Sequence, residues 1–206
     1  ANGGSQTNYL RAFDVDGNQV AEYFAETSPI QFGGMTFREP EFTNFTRRWA
    51  AAPDGRVAVG QSFGDYRIHV YDADGNLLHV IDRPDYQPVE RTKQEKARFQ
   101  RLYDGITAWN QGSTFEVSDT HQAISQMSFR DDGTLWVMSG AGQWRAEEGV
   151  MGVWDVYGAD GEYLREVRML GDGDPVEDGY FFAGDRMYQV NDLFSAAMSQ
   201  LGGDED

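Results

Sequence analysis

Tight turns, their spacing and the β-type runs between them predict an all-β chain of β-propeller type, built from four-stranded antiparallel blades with one inserted helix. The first observation is a recurring turn: Asp14-Val15-Asp16-Gly17, Asp72-Ala73-Asp74-Gly75 and Gly158-Ala159-Asp160-Gly161. The second is another turn family, Pro53-Asp54-Gly55-Arg56 and Asp131-Asp132-Gly133-Thr134. Gly55 precedes Gly75 by 20 residues, and Gly133 precedes Gly161 by 28. The third is that short alternating apolar runs flank each turn. Hairpins recurring at such intervals are how radially stacked four-stranded units are written in sequence.

Residues 8–25 read as a half blade, with runs at 8–13 and 19–24 and alternating Tyr9, Val20 and Phe24. Residues 27–47 form a long connection rich in aromatics (Phe32, Phe37, Phe42, Phe45) that folds over a sheet rim. The first full blade spans 48–82. Its third run alternates Ile68 and Val70 against Arg67, His69 and Tyr71, so one face is buried. Residues 90–121 are an insertion. Thr92 with Glu95 makes a capping box, and Phe99, Leu102, Tyr103 and Ile106 follow at helical spacing, predicting a helix over 93–103 that stops by Gly105. Residues 104–121 read as loop, anchored by Trp109 and Phe115. The second full blade spans 124–170, with a polar loop at 140–149. A last half blade covers 179–190 around Gly184-Asp185. In the tail, 191–206, Asp192 caps a short helix through Leu193, Phe194, Ala197, Met198 and Leu201.

The first hairpin looks like the outer half of a blade and the last like an inner half. Together the chain holds about three blade equivalents, in one domain, whereas propellers need at least four. Three explanations stand: a portion of a larger propeller, blades supplied by another chain, or an open stack of sheets.

The composition narrows the partners. Lys plus Arg number 17 against 34 Asp plus Glu, a formal net charge of −17 over 206 residues. That field repels nucleic acid and anionic lipid and favours a basic protein face or divalent cations. With no cysteine, disulfides, thiol catalysis and Cys-ligated metals are excluded. No apolar run approaches the ~20 residues of a membrane span. The opening residues 1–5 read as a processed N-terminus or a truncation.

Several segments together resemble the secreted bacterial six-bladed β-propeller proteins, relatives of the NHL-repeat and TolB-like propellers. They are Ala52-Pro53-Asp54-Gly55-Arg56-Val57, Ile68-His69-Val70-Tyr71-Asp72-Ala73-Asp74-Gly75-Asn76, and Trp154-Asp155-Val156-Tyr157 with Asp160-Gly161-Glu162-Tyr163-Leu164. Arg91-Thr92 with the following helix and Asp185-Arg186-Met187-Tyr188 add to it, so the resemblance spans most of 8–190. It implies export to the periplasm or cell surface. The chain departs from the family in length, lacking about half the blades.

Chemical constellations are sparse. Asp14, Asp16, Asp72 and Asp74 sit where a calcium loop would begin. The remaining ligand frame is absent, so turn chemistry explains them better. Asp172, Asp174 and Asp178 are the better cation candidates, with calcium the ion they would suit. His69 and His79 lie on strands joined by a short turn, without a placed carboxylate. His121, opening the second blade, is the histidine best placed for a site at a channel mouth. Gly60-Gln61-Ser62-Phe63-Gly64 has the Gly-x-Ser-x-Gly spacing of a nucleophile elbow, but a strand-type run and no helix follows it, so it is read as a loop. Trp109, Trp144, Phe37 and Phe42 are candidate interface anchors on loops. The expectation is therefore a non-catalytic protein-binding or scaffold module of the bacterial envelope, an extrinsic subunit of a larger complex on the periplasmic face of a membrane. The alternatives are a metal-dependent hydrolase or lactonase-like propeller and a carbohydrate-binding module.

Overall fold

A computed structural model describes residues 3–31, 36–42, 48–107 and 112–200; Trp109, Phe32, Phe45 and Leu201 lie outside them. The chain is mostly β. Hairpin β1 (Gly3–Phe13) and β2 (Gln19–Gln31) comes first. A short strand, β3 (Thr36–Arg38), leads into a single 3-10 turn at Glu39–Glu41. The first four-stranded sheet is a meander of β4 (Trp49–Ala51), β5 (Val57–Gly60), β6 (Arg67–Tyr71) and β7 (Leu77–Asp82). Helix α1 (Lys93–Thr107) and strand β8 (Thr114–Glu116) form the insertion. The second meander is β9 (Ile124–Phe129), β10 (Leu135–Ser139), β11 (Val150–Tyr157) and β12 (Tyr163–Leu170), with α2 (Gly140–Trp144) between β10 and β11. Hairpin β13 (Gly179–Ala183) and β14 (Arg186–Val190) precedes α3 (Leu193–Gln200).

The five three-residue turns share one hydrogen-bond frame. The residue before each turn donates its N–H to the carbonyl four residues on, and the turn glycine donates back: Asp14 to Asn18, Ala52 to Arg56, Asp72 to Asn76, Arg130 to Thr134 and Gly158 to Glu162, all at 2.8–3.0 Å. Each turn glycine has φ between 81 and 90°, the left-handed region where a Cβ is strained. Asp14 Oδ1 accepts from the amides of Asp16 and Asn18, and Oδ2 from the Asn18 side chain; Asp72 repeats all three bonds with Asp74 and Asn76. These bonds, led by the Asn amide, hold both carboxyls below the usual carboxylate range. The carboxylates are spent on reversing the chain.

Three apolar clusters order the sheets. Ala21 and Tyr23 of β2 pack on Val57 and Val59 of β5. Ala58, Ile68 and Val70 of the first sheet pack on Ile124, Met127, Leu135 and Val137 of the second. Met138, Met151 and Trp154 of the second sheet pack on Tyr180, with Phe182 and Met187 beside them. Hairpin, sheet, sheet and hairpin thus lie face to face in chain order. Arginines bridge neighbouring turns: Arg56 donates to the Gly133 carbonyl at 3.1 Å, and Arg130 to the Gly184 carbonyl at 3.0 Å. Among the described residues, the two terminal hairpins are separate two-stranded sheets that do not pair with each other.

Three regions differ from the sequence expectation. Residues 27–47 and 104–121 are not simple loops, since β3 and β8 join as a short parallel pair, Phe37 opposite Phe115. The helix runs past Gly105 to Thr107, and its capping box fixes the start. Thr92 N donates to Glu95 Oε2 at 2.7 Å, and Glu95 N to Thr92 Oγ at 3.2 Å. The polar stretch after β10 opens with a helical turn: Ser139 Oγ accepts from Gly142 N, and any Cβ at Gly142 would collide with the Val153 carbonyl. Of the hairpin residues expected to alternate, Phe24 packs inward, while Tyr9 and Val20 are each 51% exposed.

Candidate functional site

The most heavily buried polar residues gather where α1, β8 and α2 meet. Glu39 opens the single 3-10 turn after β3, and Arg91 lies just before the helix. Their side chains, each 2% exposed, form a bidentate pair with contacts of 2.5 and 2.9 Å. Glu39 also accepts from the Ser118 amide at 2.9 Å and from the Tyr103 hydroxyl at 3.2 Å. Arg91 donates to the Ser118 carbonyl at 3.3 Å. Its guanidinium lies over the Phe99 ring, 3.9 Å from the centroid.

Arg91 continues the chain to His121. Its Nε donates to His121 Nδ1 at 3.3 Å, while His121 Nε2 lies 3.2 Å from Glu95 Oε2. Arginine Nε only donates, so Nδ1 must be the bare acceptor and Nε2 must carry the hydrogen given to Glu95. The imidazole is therefore neutral. Burial pushes its pKa down to about 4, against the partial counterpull of Glu95. Glu95 in turn binds Arg145 at 2.9 Å. Burial pushes the Glu95 carboxyl up, but Arg145, the Thr92 amide and His121 outweigh it and hold it at about 2. Arg145 closes the chain on the Glu90 carbonyl at 2.7 Å.

Aromatic rings wall this network. His121 stacks on Trp144 with centroids 4.0 Å apart, and Tyr103 stacks on Phe115 at 3.7 Å. Phe42 meets Phe115 edge-on at 5.5 Å and Phe37 at 6.0 Å. The structure thus brings together four residues singled out in the sequence: His121, Trp144, Phe37 and Phe42. They pack inward as one cluster instead of standing out as separate surface anchors; the three aromatics are half-buried and His121 is 1% exposed. Trp109 lies outside the described residues. Glu39 and Arg91 escaped the sequence reading because their partnership spans 52 residues without any periodic pattern.

The other candidates lie elsewhere. Asp178 accepts from the amides of Asp174 and Asp192 and from Gln189, at 2.9, 3.0 and 2.7 Å. Burial raises its carboxyl, but these donors prevail and leave it below the ordinary value. Asp174 accepts from Val176 and Glu177, so these two carboxylates close their own loop; Asp172 lies at its start. Among the described residues no group of three or more His, Asp or Glu is placed to hold a metal ion. His69 and His79 face opposite sides of their sheet, being opposite Val80 and Val70 respectively. Ser62 exchanges hydrogen bonds with Asp65, at 2.8 and 3.0 Å, in a cleft of about 500 Å³.

A second polar cleft of about 510 Å³ opens between the two sheets, lined by Arg83, Asp155, Tyr157, Tyr163 and Glu166. Asp155 accepts from Tyr66 at 2.8 Å and Arg83 at 2.7 Å, both from the first sheet side. Burial beside Tyr157 and Asp155 raises the Tyr66 hydroxyl well above its ordinary value, so it stays a donor. The carboxylate clasps one sheet to the next. No protein-family model matches this chain, and no curated protein sequence matches it.

Proposed function

We propose that this chain is a non-catalytic protein-binding or scaffold module of the bacterial envelope, on a propeller-type stack of blades, and an extrinsic subunit of a larger complex at the periplasmic face of a membrane. One observation carries the reading. The polar side chains with the strongest chemical credentials pair with one another, in a chain that runs from buried Glu39, Arg91 and His121 through half-buried Glu95 to Arg145 at the surface and ties α1 to its neighbours. Chemistry of that kind holds a scaffold; recognition then falls to the outer surface. The turn order and spacing, shared with NHL-like and TolB-like propellers, support the envelope assignment. No described helix is long and apolar enough to cross a membrane.

The net charge of −17 supplies the recognition principle. A surface of carboxylates steers a basic partner face and accelerates encounter, an effect that salt screens. The test is affinity capture from native envelope extract at low and high salt. Release of a stoichiometric basic partner by salt is the expected result. Retention that ignores salt removes the steering, and metal-dependent lactone hydrolysis by the purified chain would replace the binding role with an enzymatic one.

A further inference from the structure

We propose that the cleft between the two four-stranded sheets is the socket for an arginine side chain of a protein partner, held by Asp155 and Glu166 against the Tyr163 ring. This rests on the binding-module reading above and names where its basic partner docks.

Strand pairing and one irregularity build the socket. Asp155 of β11 lies opposite Glu166 of β12 in the antiparallel register. Residues so paired share a sheet face with Cβ atoms about 4.5–5.5 Å apart, and like charges there repel. Tyr157, two residues beyond Asp155, points to the same face. Regular pairing would set Leu164 opposite Tyr157. A bulge inserts one residue, so Tyr163 stands there instead. The two tyrosine rings meet edge-on at 5.8 Å. Desolvation raises the Tyr163 hydroxyl, and the Asp155 and Glu166 charges raise it further, so one ring lies in the field of both carboxylates.

Charge is left over in this cleft. Asp155 Oδ2 accepts both bonds that clasp the sheets, from Tyr66 and Arg83, while Oδ1 accepts none from the described residues. The side chain is 10% exposed, yet Oδ1 is not sealed from solvent and opens on the cleft. The Glu166 side chain makes no ion pair or hydrogen bond among the described residues. Asp82, on the same cleft, is paired with Arg67 at 2.8 Å. Three carboxylates, Asp82, Asp155 and Glu166, thus meet two guanidiniums, Arg67 and Arg83. One further cation balances them.

Two features select an arginine carried on a protein. A guanidinium can lie flat on a ring while its fork meets a carboxylate, a combination that a lysine ammonium does not match. The chain seats its own arginines this way. Arg83 binds Asp155 with its guanidinium 5.1 Å from the Tyr66 centroid, and Arg11 binds Glu22 with its own 3.5 Å from that of Tyr9. The cleft is also open, with Tyr163 54% exposed and Glu166 exposed beside it. Small ligands are held where most of their surface is enclosed. A partner's side chain brings its own cover, and a chain of charge −17 draws a basic face toward it.

The test titrates the full chain with three probes, followed by NMR and calorimetry: the capped peptide acetyl-Leu-Arg-Leu-amide, its citrulline counterpart, which keeps the shape and loses the charge, and N-acetyl-arginine methylamide. The arginine peptide should move the Tyr163 and Glu166 signals and bind more tightly than the lone amino acid, and the citrulline peptide should not bind. Glu166→Gln and Tyr163→Leu, at exposed positions of a paired strand, should each weaken the peptide about two- to fivefold. Glu148→Gln, the same charge change outside the cleft, should leave it unchanged. Equal binding of the citrulline peptide, tighter binding of the lone amino acid, an equal effect of Glu148→Gln, or a neutral oligosaccharide moving the Tyr163 signals in place of arginine overturns the proposal. Salt-sensitive capture from envelope extract separates the failures. A basic partner held equally by the wild-type chain and by Glu166→Gln with Tyr163→Leu keeps the binding module and loses the socket. Peptide binding in the cleft with no partner captured keeps the socket and removes the module reading.

Discussion

Glu39 and Arg91 show what a buried ion pair demands of its neighbours. Removing one partner strands a desolvated charge, a loss of about 3–5 kcal/mol. Glu39→Gln should therefore destabilise the chain by that order in urea denaturation, while Glu39→Leu with Arg91→Met should lose less than the single change. His121 adds a pH signature. Its folded pKa of about 4 lies below the ordinary 6.5, so between these values the unfolded chain binds a proton that the folded chain refuses. Stability is then full above 6.5 and falls as the pH drops toward 4. Glu95, held at about 2 against an ordinary 4.5, contributes stability that is lost at lower pH, as the medium passes from 4.5 toward 2. Urea midpoints measured down the pH scale should show two successive losses, and His121→Phe should abolish the upper one and shrink the lower, since Glu95 loses one of its donors.

At the level of elements, the turns separate backbone strain from packing. Gly17 and Gly75 share a positive φ, but a Cβ at Gly17 meets nothing within 4 Å, while one at Gly75 approaches Ala21 and Glu22 at 3.4 Å. Gly17→Ala should cost about 1 kcal/mol from the left-handed backbone alone. Gly75→Ala should cost more, by loosening the first hairpin from its sheet; thermal denaturation of the two variants gives the comparison. Thr92→Ala should remove about 1 kcal/mol through the broken capping box. These features were legible because they are local: a turn, a cap and a period of two or 3.6 need only neighbouring residues. The β3–β8 pair was not legible. Three residues of strand paired in parallel carry no local signature, and Thr36 and Thr114 lie 78 residues apart. The α2 turn was missed because its reason is the Val153 carbonyl pressed against Gly142, a contact made only in the folded chain.

Across the whole molecule, shared clusters make neighbouring layers interdependent. Arg56, with its side chain 13% exposed, reaches both the Gly133 carbonyl and the Ala159 carbonyl, tying the first sheet to two turns of the second. Net charge works against this cohesion, so moderate NaCl should raise the melting temperature by screening self-repulsion, measurable by calorimetry. The candidate site was half legible for the same reason of scale. His121, Trp144, Phe37 and Phe42 stood out by residue type, but the acid–base pair that organises them is assembled from Glu39, before the first sheet, and Arg91, after it. The parallel clasp between Thr36–Arg38 and Thr114–Glu116 brackets the entire first sheet and α1 within one loop. Closing so long a loop costs entropy that only finished tertiary contacts repay. Refolding should then proceed with the meanders zipping early and the clasp fastening late, so that weakening Phe37–Phe115 accelerates unfolding and leaves the refolding rate almost untouched.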